Sequence, residues 1–186
     1  YTGMVTDTGT VTVTAAGAAG LSITDAAIGF GSGYYNATCT TDYAVLNSNL
    51  TYSDGSVGTV YGSAHPYCWV NTTAILGGEI RDPHTLENNG STVVNVSAIA
   101  NMHAEDFLCG GNCPFTNFAR VEFFSVNQEV SACSGPTTGY EAATTFNTNV
   151  TIGICDRLDF QDAGDTINVF VNISVPKDVG SGLKTL

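Results

Sequence analysis

The six cysteines, Cys39, Cys68, Cys109, Cys113, Cys133 and Cys155, carry the most definite chemistry in this sequence. An even set in a secreted chain reads as a disulfide framework, and six cysteines allow fifteen pairings. Joining neighbours along the chain would give Cys39–Cys68, Cys109–Cys113 and Cys133–Cys155. On the chain-entropy argument these loops would destabilise the unfolded state by roughly 3.6, 2 and 3.4 kcal/mol. The competing chemistry is metal ligation, with Cys109-Gly-Gly-Asn-Cys113 joined by His103 or His84. A structural zinc site usually takes two tight ligand pairs, and only one is present. The Cys-x-x-Cys-His attachment of a c-type haem is absent. The expectation is disulfides and no metal cofactor.

The second chemistry is modification. Asn-x-Ser/Thr occurs at Asn36, Asn49, Asn71, Asn89, Asn95, Asn149 and Asn172; the fifteen Asn of this Ser- and Thr-rich chain would give roughly three such sites by chance. Several lie in alternating runs: Val94, Val96 and Ala98 against Asn95 and Ser97; Val150 and Ile152 against Asn149 and Thr151; Val169, Val171 and Ile173 against Asn168 and Asn172. In a strand this period puts the apolar set on the core and the acceptor Asn on the solvent face, where a glycan is accommodated. N-linked glycans are therefore expected. The simpler account is that these are the polar outer faces of ordinary strands.

Other reactive groups are sparser. Asp156, Asp159, Asp162 and Asp165 recur every third residue near Gly164, and carboxylates on a loop suit calcium, although the spacing is not that of an EF-hand. A solvated acidic turn explains them more simply. Glu105, Asp106 and Glu122 could supply a glycosidase carboxylate pair, although ordinary surface or edge positions explain them better. His65, His84 and His103 lie in turn-like contexts with no Gly-x-Ser-x-Gly or His-Glu-x-x-His around them. Tyr34 and Tyr35 could stack on a sugar, although core packing or a strand edge explains them better. No catalytic residue is assigned, and the chain is read as no enzyme.

Charge narrows the partners. Lys plus Arg number five against seventeen acidic residues, a formal charge of −12. Arg81, Arg120, Arg157, Lys177 and Lys184 are scattered, so no nucleic acid is expected, because phosphate binding needs clustered cations. No apolar run reaches the 18 residues of a membrane span. The start at Tyr1 fits a mature product freed of a signal peptide, and extracellular, cell-surface placement is expected.

These groups must be held by strands. Strand signals cover Val5–Thr14, Leu21–Phe30, Tyr43–Tyr52, Tyr67–Leu76, Glu79–Leu86, Thr92–Ala100, Ala119–Val130, Ala142–Ile154 and Thr166–Val175, with turn clusters between them. Only His103–Leu108 reads as a helical turn. Many short strands predict an all-β fold, a jelly-roll-like antiparallel β-sandwich over residues 17–186. Residues 1–16 stand apart: Thr8, Thr10, Thr12 and Thr14 alternate with Gly9, Val11 and Val13, and a run of Ala and Gly follows. Such a strand can complete its own sheet or fill the edge of the next copy.

The segment Ile80–Val96, with Glu87-Asn88-Asn89-Gly90-Ser91 between apolar runs, resembles a passage of the TasA and camelysin class of biofilm-fibre proteins. The closing Val169–Asp178 is similar to the final strand of many prokaryotic secreted sandwiches. The likeness implies a jelly-roll subunit polymerised by an N-terminal donor strand, as in the archaeal bundling pili and threads that resemble that class. Here the donor would be about Val5 to Ala15, with Val5, Val11 and Val13 entering the neighbour. The expected function is thus a structural subunit of an extracellular filament whose partner is itself. The alternative is a monomeric adhesin, glycan-binding or envelope-layer domain.

Overall fold

The computed structural model describes residues 3–4, 20–24, 28, 30, 32–50, 60–61, 68–72, 80–81, 83–109, 119–137, 139–145, 148–177 and 179. In chain order these form β1 (Gly3–Met4), β2 (Leu21–Ile23), β3 (Ser32–Tyr35), β4 (Tyr43–Asn47), β5 (Asn49–Leu50), β6 (Val60–Tyr61), β7 (Trp69–Asn71) and β8 (Ile80–Arg81). There follow β9 (His84–Asn88), β10 (Val94–Ala98), the short helix α1 (Ala104–Cys109), β11 (Arg120–Asn127) and β12 (Cys133–Pro136). The last four strands are β13 (Glu141–Thr145), β14 (Thr148–Asn149), β15 (Ile152–Leu158) and β16 (Thr166–Pro176). The fold is all-β, and each strand pair among the described residues is antiparallel.

The largest sheet has seven strands in the order β14-β13-β11-β16-β9-β2, with β4 also on β16. Its axis is β16, the longest strand. Ile167, Val169, Val171, Ile173 and Val175 alternate along one face and are all buried. Antiparallel register sets Val121 beside Ile173 and Phe123 beside Val171 on one flank. On the other flank Leu46 lies beside Ile173, Ala44 beside Val175 and Leu86 beside Ile167. Neighbours directly opposite share a face, so the four strands present one continuous apolar surface.

β9 and β4 follow one another along the same edge of β16, and Ser48 closes the gap between them. Its N–H donates to the Val171 carbonyl at 2.9 Å, and its Oγ accepts the Val171 N–H at 2.8 Å. One buried serine thus satisfies both main-chain groups that a strand partner would have taken.

A three-stranded sheet, β10-β15-β12, meets the large sheet at β11. Ser125 on β11 is the polar tie: its N–H donates to Thr137 Oγ1 at 3.1 Å and its Oγ to the Ile154 carbonyl at 2.5 Å. The buried apolar cluster draws Val94, Val96 and Ala98 of β10, Ile152, Ile154 and Leu158 of β15, Val121 and Phe123 of β11, and Phe107 and Leu108 of α1. Cys133–Cys155 cross-links β12 to β15 and Cys39–Cys68 ties the loop after β3 to β7. Cys109 is also disulfide-bonded, and Cys113 lies outside the described residues.

Three sequence-based expectations need correction. Cys133–Pro136 is a strand, although Gly135 and Pro136 argued for a turn. β12 tolerates them because Gly135 takes φ +87°, a conformation open to glycine at no steric cost. Ala142–Ile154, expected as one strand, is broken into β13, β14 and the start of β15, which resets the alternation. Finally, Asn88-Asn89-Gly90 does not close a hairpin: β9 belongs to the large sheet and β10 to the small one.

Candidate functional site: the acceptor asparagines and the acidic clusters

The face of β16 opposite the core carries Phe170, Asn172 and Ser174, each of them buried. Register places Glu122 of β11 and Asn47 of β4 on either side of Asn172. The Asn172 Nδ2 donates to Glu122 Oε2 at 2.6 Å, while its Oδ1 accepts from Asn47 Nδ2 at 3.3 Å. Asn47 Oδ1 in turn accepts the Tyr140 hydroxyl at 2.7 Å and the Asn49 N–H at 2.8 Å. Beside this chain Phe124 packs on Phe170 and Tyr140 at centroid distances of 6.3 and 5.4 Å. Asn172 was expected on the solvent face and is instead 9% exposed. The central strand of a sheet can be covered on both faces, and then period-2 alternation no longer separates core from solvent.

The other acceptors divide by element. Asn95 projects from β10 into solvent while Val94 and Val96 are buried, as the alternation predicts. Asn89 is exposed in the crossover from β9 to β10. Asn36 is half-buried, and its Oδ1 accepts both the Thr38 N–H at 3.1 Å and the Thr38 hydroxyl at 2.9 Å. Asn49 is half-buried. Asn149 is also half-buried, with a buried Oδ1 that has no hydrogen-bond partner. Its neighbour Val150, expected in the core, is 47% exposed because it lies between β14 and β15. Asn71 is on β7, and its side chain is outside the described set.

The acidic candidates are placed differently from their spacing. Asp156, Asp159, Asp162 and Asp165 do not bring three ligand atoms together, and the Asp159 and Asp165 carboxylates accept bonds from the Phe160 N–H and the Thr166 hydroxyl. Among the described residues, ligand atoms gather at His103, Glu105 and Asp106, all within 4.8 Å of one another. His103 Nδ1 is 3.8 Å from Asp106 Oδ2, and one Glu105 oxygen is buried without a partner. This trio could offer three ligands to a divalent cation, but it lies in the first turn of a six-residue helix. Cys109, its expected companion for zinc, has its sulfur committed to a disulfide.

His84, expected in a turn, is buried in β9 beside Val169. Tyr35 is structural, with its hydroxyl donated to the Thr41 carbonyl, and only Tyr34 of that pair is exposed. His65 and the donor-strand residues Val5, Val11 and Val13 lie outside the described residues.

One charge arrangement had no signal in the sequence. Glu129 Oε2 accepts the Asp165 N–H at 3.0 Å and the Thr166 N–H at 3.2 Å, clasping the start of β16. The Asp165 N–H, foremost, holds the Glu129 carboxyl below the usual carboxylate range, whereas burial pushes Asp165 above it. Set against protein-family models, curated proteins and solved structures, the chain has no match.

Proposed function

We propose that this chain is a non-catalytic structural subunit of an extracellular surface filament, a jelly-roll-like sandwich that polymerises when its N-terminal strand enters the neighbouring subunit. The observation that carries this reading is the position of β2. Among the described residues it stands at one end of the large sheet and pairs only with β9. The preceding sequence alternates Thr with Val11 and Val13 and is joined to β2 through a small-residue run. An alternating strand on a permissive tether is the kind of segment that supplies a sheet edge in trans. Disulfides and an all-β fold suit an oxidising, extracellular setting.

A second reading, a monomeric surface domain that keeps its own first strand, is favoured by β1. Gly3 and Met4 pair with Gly33 and Ser32 of the same chain. A two-residue ladder contributes only about 1–3 kcal/mol, an interaction that a second copy could replace. Electron microscopy of the purified protein beside a variant lacking residues 1–15 separates the two. Filaments formed by the full chain and lost, with the fold intact, in the truncated one are expected. Monomers under all conditions, or unfolding of the truncated chain, favour the second reading.

A further inference from the structure

The seven acceptor sequons are equivalent in the sequence and inequivalent in the fold. N-linked transfer joins Asn Nδ2 to the anomeric carbon of a lipid-diphosphate-linked saccharide. The bond from that carbon to the diphosphate oxygen breaks, the electron pair leaves with the lipid diphosphate, and Nδ2 gives one proton to a base of the transferase. The folded product must therefore have room at Nδ2, and that nitrogen must not be required as a donor elsewhere.

Asn172 meets neither condition. Its Nδ2 donates to Glu122 at 2.6 Å between two sheet neighbours, and the residue is nearly enclosed. The sequon hydroxyl residue, Ser174, is buried as well. A sugar there would push the amide off Glu122 and separate the strands on either side of β16. Asn36 is half-buried rather than enclosed, and among the described residues its Nδ2 is not needed as a donor. Its Oδ1 takes the two bonds from Thr38, neither of which uses Nδ2, and its loop is pinned by Asn36 N–H to the Cys68 carbonyl at 2.8 Å and by Cys39–Cys68. Asn89 and Asn95 are exposed, and neither side chain makes a hydrogen bond among the described residues.

We infer that Asn36, Asn89 and Asn95 carry N-linked saccharides on the folded chain, and that Asn172 is a structural donor that stays unmodified. This rests on the extracellular part of the proposed function and not on polymerisation. It assigns the sugars to the loop after β3, the crossover between sheets and the outer face of β10, and leaves the β4–β16–β11 face bare.

The test is glycopeptide mapping and intact mass of the chain from the cells that secrete it, beside T38A, S174A and N172A variants. Sugar is expected on the Asn36, Asn89 and Asn95 peptides and none on the Asn172 peptide. T38A should lose the mass of one glycan and S174A none. N172A should lower the melting temperature, whereas S174A, which destroys the sequon but keeps the amide, should change it little. Sugar on Asn172, or a bare peptide at any of the other three, overturns the assignment. Filaments are scored separately by microscopy, so a chain that polymerises without sugar sinks this inference alone, and glycosylated monomers sink only the filament.

Discussion

Asn88 ends β9, and its side chain holds the crossover together. Nδ2 donates to the Thr92 carbonyl at 2.9 Å and to the Leu158 carbonyl at 3.1 Å, and Oδ1 accepts the Gly90 N–H at 3.2 Å. Replacing Asn88 by Ala strands buried carbonyls, and a loss of about 2–3 kcal/mol in denaturant unfolding is expected. Gly33 is as constrained by space: a Cβ there would meet Trp69 Nε1 at 2.3 Å and the Val70 carbonyl at 2.4 Å. Gly33→Ala should cost about 1–3 kcal/mol by overpacking, with a shifted emission from Trp69, the only tryptophan.

The Glu129 clasp sets a pH response at the same scale. Asp165, raised in the fold, opposes folding when ionised, and this opposition is relieved as pH falls through its raised value. Glu129, lowered in the fold, stabilises above its unfolded value, and that contribution is lost as pH falls further, through its folded value. Asp165→Asn, which keeps the oxygen facing Thr166, should therefore be more stable than the parent at neutral pH. The difference should shrink on mild acidification, as thermal melts across the carboxylate range will show. None of this could be read from the spacing of acidic residues, because the Glu129 shift comes first from the Asp165 N–H and the Asp165 shift from burial, and the turn before β16 sets both.

At the scale of elements, the paired strands β12 and β15 are cross-linked by Cys133–Cys155, whose sequence separation is 22. Replacing both cysteines by Ser should destabilise the fold by about 3 kcal/mol on the chain-entropy argument, measurable as a lower denaturant midpoint. Alternation predicted β10 correctly, with Val94 and Val96 inward and Asn95 outward. It failed at β16 because that strand is central and covered on both faces. It failed at Val150 because β13, β14 and β15 are separate elements, and each break restarts the period. The helix α1 was legible as a break in strand character around His103–Leu108 and packs Phe107 and Leu108 into the core.

For the whole molecule, a charge of −12 means that copies repel one another. If subunits polymerise, assembly followed by light scattering should be slow in low salt and accelerate towards physiological ionic strength, where the screening length falls to about 8 Å. An assembly rate indifferent to salt would imply an interface that keeps acidic groups apart. The sequence by itself determined the all-β class and the presence of a disulfide framework, because residue type and period act locally along the chain. The neighbour pairing of cysteines, one choice among fifteen, became definite for Cys39–Cys68 and Cys133–Cys155 only when strands brought the sulfurs together. Tertiary structure also decided which sheet each strand joins, that the Asn88-Asn89-Gly90 turn changes sheets, and that Asn172 faces Glu122 and not solvent. These depend on which elements lie on each side of a strand, and no local period encodes that.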